Sequence, residues 1–227
     1  MSYLLFLGLI PPIVLLIYIY HLDKIEREPP RMILRLFLLG VFSVIPAMFL
    51  ELGGMALLGV TGLPEDSYVC LILEYFLVVA FSEELSKRLV GVGLTYKSEE
   101  FNYQFDAVVY CTAAALGFAC IENIEYIALE GAEVALGRLI PIHTICGVYM
   151  GHYVGLAKAA HRRGQTGQRM FFNCLSLLIP VLIHGFYDFS LSTENDDLLV
   201  ANMIFTVVIT VVAFLCLRHY AKTDKPV

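Results

Sequence analysis

Long apolar stretches separated by short polar connections run through the whole chain, at roughly 2–21, 32–60, 68–95, 104–129, 139–160, 171–192 and 198–219. Each reaches the ~20 residues that a helix needs to cross ~30 Å of hydrocarbon. The pattern predicts an all-α, polytopic transmembrane helix bundle of about seven spans, with residues 1–227 forming a single transmembrane domain. The second and third stretches exceed the required length, which predicts tilt, kinks or interfacial ends there. A re-entrant turn near Gly53-Gly54 is compatible with the same pattern. Pro46 and Pro180 fall inside apolar stretches, and each should leave the carbonyl four residues earlier unpaired. Pro180 stands one turn before His184, so a kink there would open a polar cavity. Gly147, Gly151 and Gly155 form a small-xxx-small stripe of the kind that brings two helices into close contact.

Composition agrees with the pattern. Of 227 residues, 59% are hydrophobic and 16% charged, with a mean hydropathy of +0.75. A soluble domain would carry about 45–50% apolar and about 25% charged residues. A soluble enzyme and a disordered tail are thereby excluded, and a net charge of −6 argues against a nucleic-acid partner. The amino terminus lacks a basic n-region and a small-residue cleavage site, so its apolar run reads as a retained first helix. Six cysteines are scattered singly, most within apolar runs, and read as buried free thiols.

The placement of the few charges sets an orientation. Of 15 lysines and arginines, all but Arg138 lie in or beside the connections after the first, third and fifth stretches or near the carboxyl terminus. The remaining connections hold acids such as Glu65, Asp66, Glu133, Glu194, Asp196 and Asp197. This alternation requires an odd number of spans. The positive-inside rule then places the amino terminus outside and the carboxyl terminus in the cytoplasm of a multi-pass protein of the bacterial cell membrane.

Several ionisable residues lie within the spans, where each costs on the order of 2.5–3.5 kcal/mol and marks function by default. The third stretch carries Glu83, Glu84, Lys87 and Arg88. The fourth carries Glu122 and Asn123, the fifth His143 and His152, and the sixth His184 and Asp188. Glu83 and Lys87, Glu84 and Arg88, and His184 and Asp188 are each four apart and share a helix face. Two neighbouring carboxylates in a dry site cannot both stay ionised unaided. One can act as general base on water while Lys87 or Arg88 balances the other. An imidazole oriented by Asp188 can stabilise an oxyanion or move a proton. His152 reads as structural, His21, His161 and His219 as juxtamembrane, and Glu51, Glu74 and Asp106 as helix-end residues without a special role. Depth is uneven. If the third stretch runs inward, Glu83 falls past its midpoint, whereas Glu122 and Asp188 fall in outer halves.

The ordered set Glu83-Glu84-x-x-Lys87, Phe118-x-x-x-Glu122 with Asn123, His143 at a helix start and His184-x-x-x-Asp188 resembles the PrsW intramembrane proteases, relatives of the CAAX-processing membrane proteases. The segment Asp23-Lys24-x-Glu26-x-Glu28-Pro29-Pro30 also looks like the PrsW pattern after its first helix. The resemblance implies a glutamic-type protease in which Glu83 and Glu84 activate water, Glu122 takes the second-motif position, and His184 and Asp188 hold the oxyanion. His143 joins this catalytic set. No cofactor is implied. The implied partners are the lipid bilayer and a membrane-anchored protein substrate, specifically the extracytoplasmic site-1 cut of an anti-sigma factor in envelope-stress or antimicrobial-peptide signalling.

Two other readings of the same residues stand beside this one. Glu122, His143, His184 and Asp188 could ligate zinc in a metalloprotease, although no H-E-x-x-H is present. Intramembrane Glu, His and Asp also serve ion- or proton-coupled transporters, although no convincing inverted repeat is visible.

Overall fold

The computed structural model describes residues 2–131 and 141–227, and the side chains of all of these except 2–5, 7 and 130. Glu133 and Arg138, expected in an outer connection, lie outside the described residues.

Among the described residues the chain forms seven helical rods, one for each predicted stretch. The first is α1 (Ser2–Leu22). The second comprises α2 (Pro30–Phe42) and α3 (Val44–Val60). The third comprises α4 (Tyr68–Ile72), a π-helical segment Leu73–Ala80, and α5 (Phe81–Gly91). Single helices follow: α6 (Asp106–Glu130), α7 (Ile142–Arg162), α8 (Thr166–Ser192) and α9 (Asp196–Lys222). Four rods are long and apolar enough to cross a membrane: Pro30–Val60, Asp106–Leu129, Thr166–Ser192 and Asp196–Lys222. In α1 the apolar stretch is shorter, Gly8–Leu22. The third rod is interrupted by its own charges, and α7 carries two histidines. Large apolar side chains such as Phe49, Leu57, Val60, Met203 and Val207 lie exposed along α3 and α9. In water they would form an adverse surface; against lipid tails they are matched.

The interruption of the second rod follows from Pro46. With no N–H at Pro46, the carbonyl of Phe42 loses its helical partner. The helix breaks at Ser43, whose N–H reaches back to Leu39 O (2.9 Å) and whose hydroxyl donates to Gly40 O (2.7 Å). At Pro180, by contrast, α8 continues through the proline.

Helix α6 is the central rod and packs against α1, α2, α5 and α7. The glycine stripe of α7 explains one of these contacts. A Cβ at Gly151 would lie 2.3 Å from Val108 Cα, one at Gly147 2.8 Å from Thr112 Cα, and one at Gly155 2.4 Å from Gln104 O. Backbone thus meets backbone, as small-xxx-small spacing predicts. His152 stacks on Tyr220 at 3.8 Å, which fixes the tail of α9 to α7 and agrees with a structural role. Four cysteines are buried free thiols, while Cys216 is partly buried and Cys174 exposed on α8.

The depth mismatch expected for Glu83 is taken up by length. The third rod begins at Tyr68 and runs through the π-helical segment before it reaches Glu83, whereas Asp188 lies only one turn from the end of α8 at Ser192. The staggered start brings Glu83 level with its partners.

Candidate active site

Four elements converge on one cluster. On α5, Glu83, Glu84 and Lys87 share a face directly after the π-helical segment, a helix form that occurs often at functional sites. That segment packs closely on α8 because Gly185 leaves room for it: a Cβ there would lie 2.6 Å from a ring carbon of Phe76 and 3.1 Å from Phe76 Cα. Gly185 immediately follows His184, so the close approach places the diglutamate against the histidine.

Lys87 is the hub. Its Nζ lies 2.9 Å from Glu83 Oε2, 2.9 Å from Glu84 Oε1 and 3.0 Å from His143 Nδ1. It also sits 4.0 Å from the centroid of the Phe118 ring, a cation–π contact. Phe118 thereby acquires a physical task one turn before Glu122. On the far side of the His143 ring, Nε2 lies 2.5 Å from Glu122 Oε2. His184 bridges a second pair of carboxylates, with Nδ1 3.0 Å from Glu84 Oε1 and Nε2 3.1 Å from Asp188 Oδ2. The two imidazoles meet edge to face, 5.2 Å between centroids. Six of the residues named from the sequence, together with Lys87, therefore form one connected network.

Arg88 departs from expectation. Spacing alone pairs it with Glu84, but it turns toward α8, donating to Asn173 Oδ1 (2.9 Å) and Ser176 Oγ (3.1 Å). Lys87, three residues after Glu84 and four after Glu83, serves both carboxylates from one face. Arg88 fastens α5 to α8. Asn123 likewise looks away from the site and donates to Gly8 O of α1 (3.1 Å).

The diglutamate is divided by its surroundings. Glu84 is fully buried behind the network and holds Lys87 and His184 through one oxygen. Glu83, Glu122 and Asp188 instead border a cavity of about 1260 Å³ between α3, the π-helical segment, α6, α8 and α9. Polar side chains that the sequence reading passed over also line it. Glu51, read as a helix-end residue, faces the cavity from within α3. On α9, Asn202 and Thr206 border it, with Thr206 Oγ1 donating to Asn202 Oδ1 (3.1 Å). The signal was available: Asn202, Thr206 and Thr210 recur every four residues along an otherwise apolar helix.

Glu83, Glu84, His143 and His184 each offer a donor atom within 4.8 Å of the others, and imidazole with carboxylate is zinc-binding chemistry. The arrangement leaves these atoms engaged. The Lys87 ammonium takes up the space between Glu83, Glu84 and His143 Nδ1, and each ring nitrogen of His184 faces a carboxylate. A metal ligand needs a free lone pair on the imidazole, so these residues do not fit a metal ion in this arrangement.

A helical bundle with a buried carboxylate–imidazole network beside a large cavity has the elements that an intramembrane peptidase requires. Comparison with known proteins gives the family. The family model described as "PrsW family intramembrane metalloprotease" matches residues 28–217, and the chain belongs to this family. It is 34% identical over 215 residues to Protease PrsW of Oceanobacillus iheyensis, covering 93% of each chain. It is 37% identical over 191 residues to Protease PrsW of Geobacillus kaustophilus, covering 83% of this chain and 79% of that one. Protease PrsW of Bacillus subtilis is 35% identical over 192 residues, 83% of each chain. No solved structure matches the chain. The chain is thus a membrane-embedded peptidase, as its motifs led us to expect.

Proposed function

We propose that this peptidase is of the glutamic type and that Glu83 is its general base. The observation that carries this reading is the division of the diglutamate: Glu83 borders the cavity while Glu84 is sealed behind it, bonded to Lys87 and His184. A water in the cavity gives a proton to Glu83 as its oxygen attacks the scissile carbonyl carbon. The carbonyl π pair moves onto oxygen, and the His184 Nε2–H, which faces the cavity-lining Asp188 at 3.1 Å in the resting site, turns from that carboxylate to stabilise the oxyanion. The proton held by Glu83 then passes to the leaving nitrogen as the C–N bond breaks, giving a carboxyl and an amine terminus. His143 and Glu122 form the opposite wall, and Glu84 and Asp188 orient His184 from its two sides.

The cavity exceeds the roughly 300–1,000 Å³ of small-molecule pockets and is bordered by Met48 of α3 and by Met203 and Val207 of α9, all exposed on the outside of the bundle. A membrane-anchored substrate would reach Glu83 between those helices. The distribution of Lys and Arg supports an amino terminus outside and a carboxyl terminus on the cytoplasmic side of a bacterial cell membrane. The substrate we assign is a single-span anti-sigma factor, cut first on its extracytoplasmic side. Membership in the PrsW family supports this assignment.

The metal question has a direct test. Purified protein in proteoliposomes, treated with phenanthroline to remove transition metals, should cleave a single-span substrate at its untreated rate and hold no stoichiometric zinc. Loss of cleavage that zinc alone restores would establish the metalloprotease reading instead.

A further inference from the structure

A second carboxylate cluster lies at the other end of α6. Asp106 is the first residue of that helix and Glu122 stands sixteen residues later, about 24 Å along the axis. Asp23 and Glu28, from the linker between α1 and α2, converge on Asp106. One oxygen from each of the three lies within 4.8 Å of the others. All three are almost wholly buried, with relative exposures of 2%, 3% and 1%. No lysine or arginine forms an ion pair with any of them among the described residues.

The neighbouring groups are also oxygens in search of a partner. Asp23 Oδ2 and Glu28 Oε2 are buried without a hydrogen bond, as is Asn102 Oδ1. The Tyr110 hydroxyl, on a side chain with 0% exposure, faces the Glu28 carboxyl. Asp106 is held in place by backbone N–H groups of Asn102 (2.9 Å) and Tyr103 (2.7 Å), both on its Oδ2. Asn102 Nδ2 is committed to Glu26 Oε2 at 2.8 Å, which turns the amide oxygen away from that carboxylate.

We infer that Asp23, Glu28 and Asp106, with Asn102, form a binding site for a hard divalent cation of calcium size. Buried carboxylate and amide oxygens without nitrogen or sulfur donors are the ligand set of such ions. The spacing agrees, because two oxygens bound to one Ca²⁺ lie at most about 4.6–5.2 Å apart, twice the metal–oxygen distance. The site shares no residue with the active-site network and does not depend on the catalytic mechanism proposed above.

An ion there would join three separate segments. The linker supplies Asp23 and Glu28, the loop before α6 supplies Asn102, and Asp106 is the first residue of α6. The carboxyl-terminal tail is bonded to that loop through Asp224 Oδ1 to Phe105 N (2.9 Å), Gln104 N to Lys225 O (2.9 Å) and Val227 N to Asn102 O (2.9 Å). The cation therefore acts as a clamp at one end of the bundle.

Equilibrium dialysis of the purified full chain against Ca²⁺ alone, after removal of bound metals with EDTA, tests the inference. Wild type and Glu83→Gln should each bind one Ca²⁺ per chain, and Ca²⁺ should raise the thermal midpoint of the EDTA-treated protein by several degrees. Asp23→Asn and Glu28→Gln, made singly, should each weaken binding at least tenfold. Absence of a bound ion in wild type at millimolar Ca²⁺, or unchanged binding in both single variants, would overturn the inference. If a variant fails to fold, the midpoint shift of wild type with and without Ca²⁺ decides alone, and a shift of zero counts against the site.

Discussion

The Nζ of Lys87 lies 3.0 Å from Nδ1 of His143, so a buried ammonium donates to an imidazole lone pair while balancing two glutamates. The contact fixes the tautomer of His143, leaving Nε2 to carry the proton toward Glu122. It also accounts for the lysine of the E-E-x-x-K motif: it is the permanent cation among Glu83, Glu84, Glu122 and Asp188.

Removing that charge strands the carboxylates. Breaking a buried pair by deleting one partner costs about 3–5 kcal/mol. Lys87→Met should therefore lower the thermal midpoint of the detergent-purified protein sharply and abolish cleavage. A Lys87→Met protein as stable as wild type would show that the network does not depend on this ammonium.

His184 and Arg88 should separate cleanly. Loss of one oxyanion donor costs about 10²–10³ in kcat, so His184→Ala should lower kcat by that range with little change in KM. Arg88→Ala removes bonds to Asn173 and Ser176 rather than to the diglutamate. It should shift the melting temperature and leave kcat within a few-fold of wild type. Steady-state kinetics on a single-span substrate checks both.

Backbone contact between α6 and α7 can be tested by adding single methyl groups. Gly151→Ala would drive a Cβ to 2.3 Å from Val108 Cα, whereas Gly53 on α3 has nothing within 4 Å of its Cβ position. Overpacking of the first kind costs about 1–3 kcal/mol. Gly151→Ala should lower the yield and thermal midpoint, and Gly53→Ala should leave both unchanged or slightly raised.

The linker carboxylates impose a pH dependence on stability. Burial raises Asp23 to about 6, with Asp224 nearby adding to the effect, and raises Glu28 to about 7. Both groups keep their protons in the folded chain at pH values where the unfolded chain releases them. Stability in EDTA should therefore fall as pH rises from about 4 through about 7. Thermal melts across that range should show the decline, and Asp23→Asn with Glu28→Gln should make it shallower.

Much of this site could be read from the chain because intramembrane charge is costly. Glu83, Glu84, Glu122, His143, His184 and Asp188 stood out against apolar neighbours, and helical spacing alone put Glu83 with Lys87 and His184 with Asp188 on common faces. The seven apolar stretches likewise correspond to seven rods, with Pro46 marking the break at Ser43. What spacing could not supply was the choice among equally spaced partners. Arg88 stands four residues from Glu84 just as Lys87 stands four from Glu83, yet α8 draws Arg88 away. Nor could periodicity distinguish the two glutamates, because exposure to the cavity depends on the π-helical segment and on the room left by Gly185. Glu51 was passed over because its place in the cavity arises from packing between helices distant in sequence.

The central claim is that Glu83 takes the proton from the attacking water. The most direct test is cleavage of a single-span substrate in proteoliposomes by Glu83→Gln beside wild type, with thermal melts confirming that both are folded. Glutamine nearly matches glutamate in shape but cannot accept that proton, so the account predicts at least a thousand-fold loss of rate in a folded protein. A folded Glu83→Gln protein that cuts as fast as wild type would contradict it.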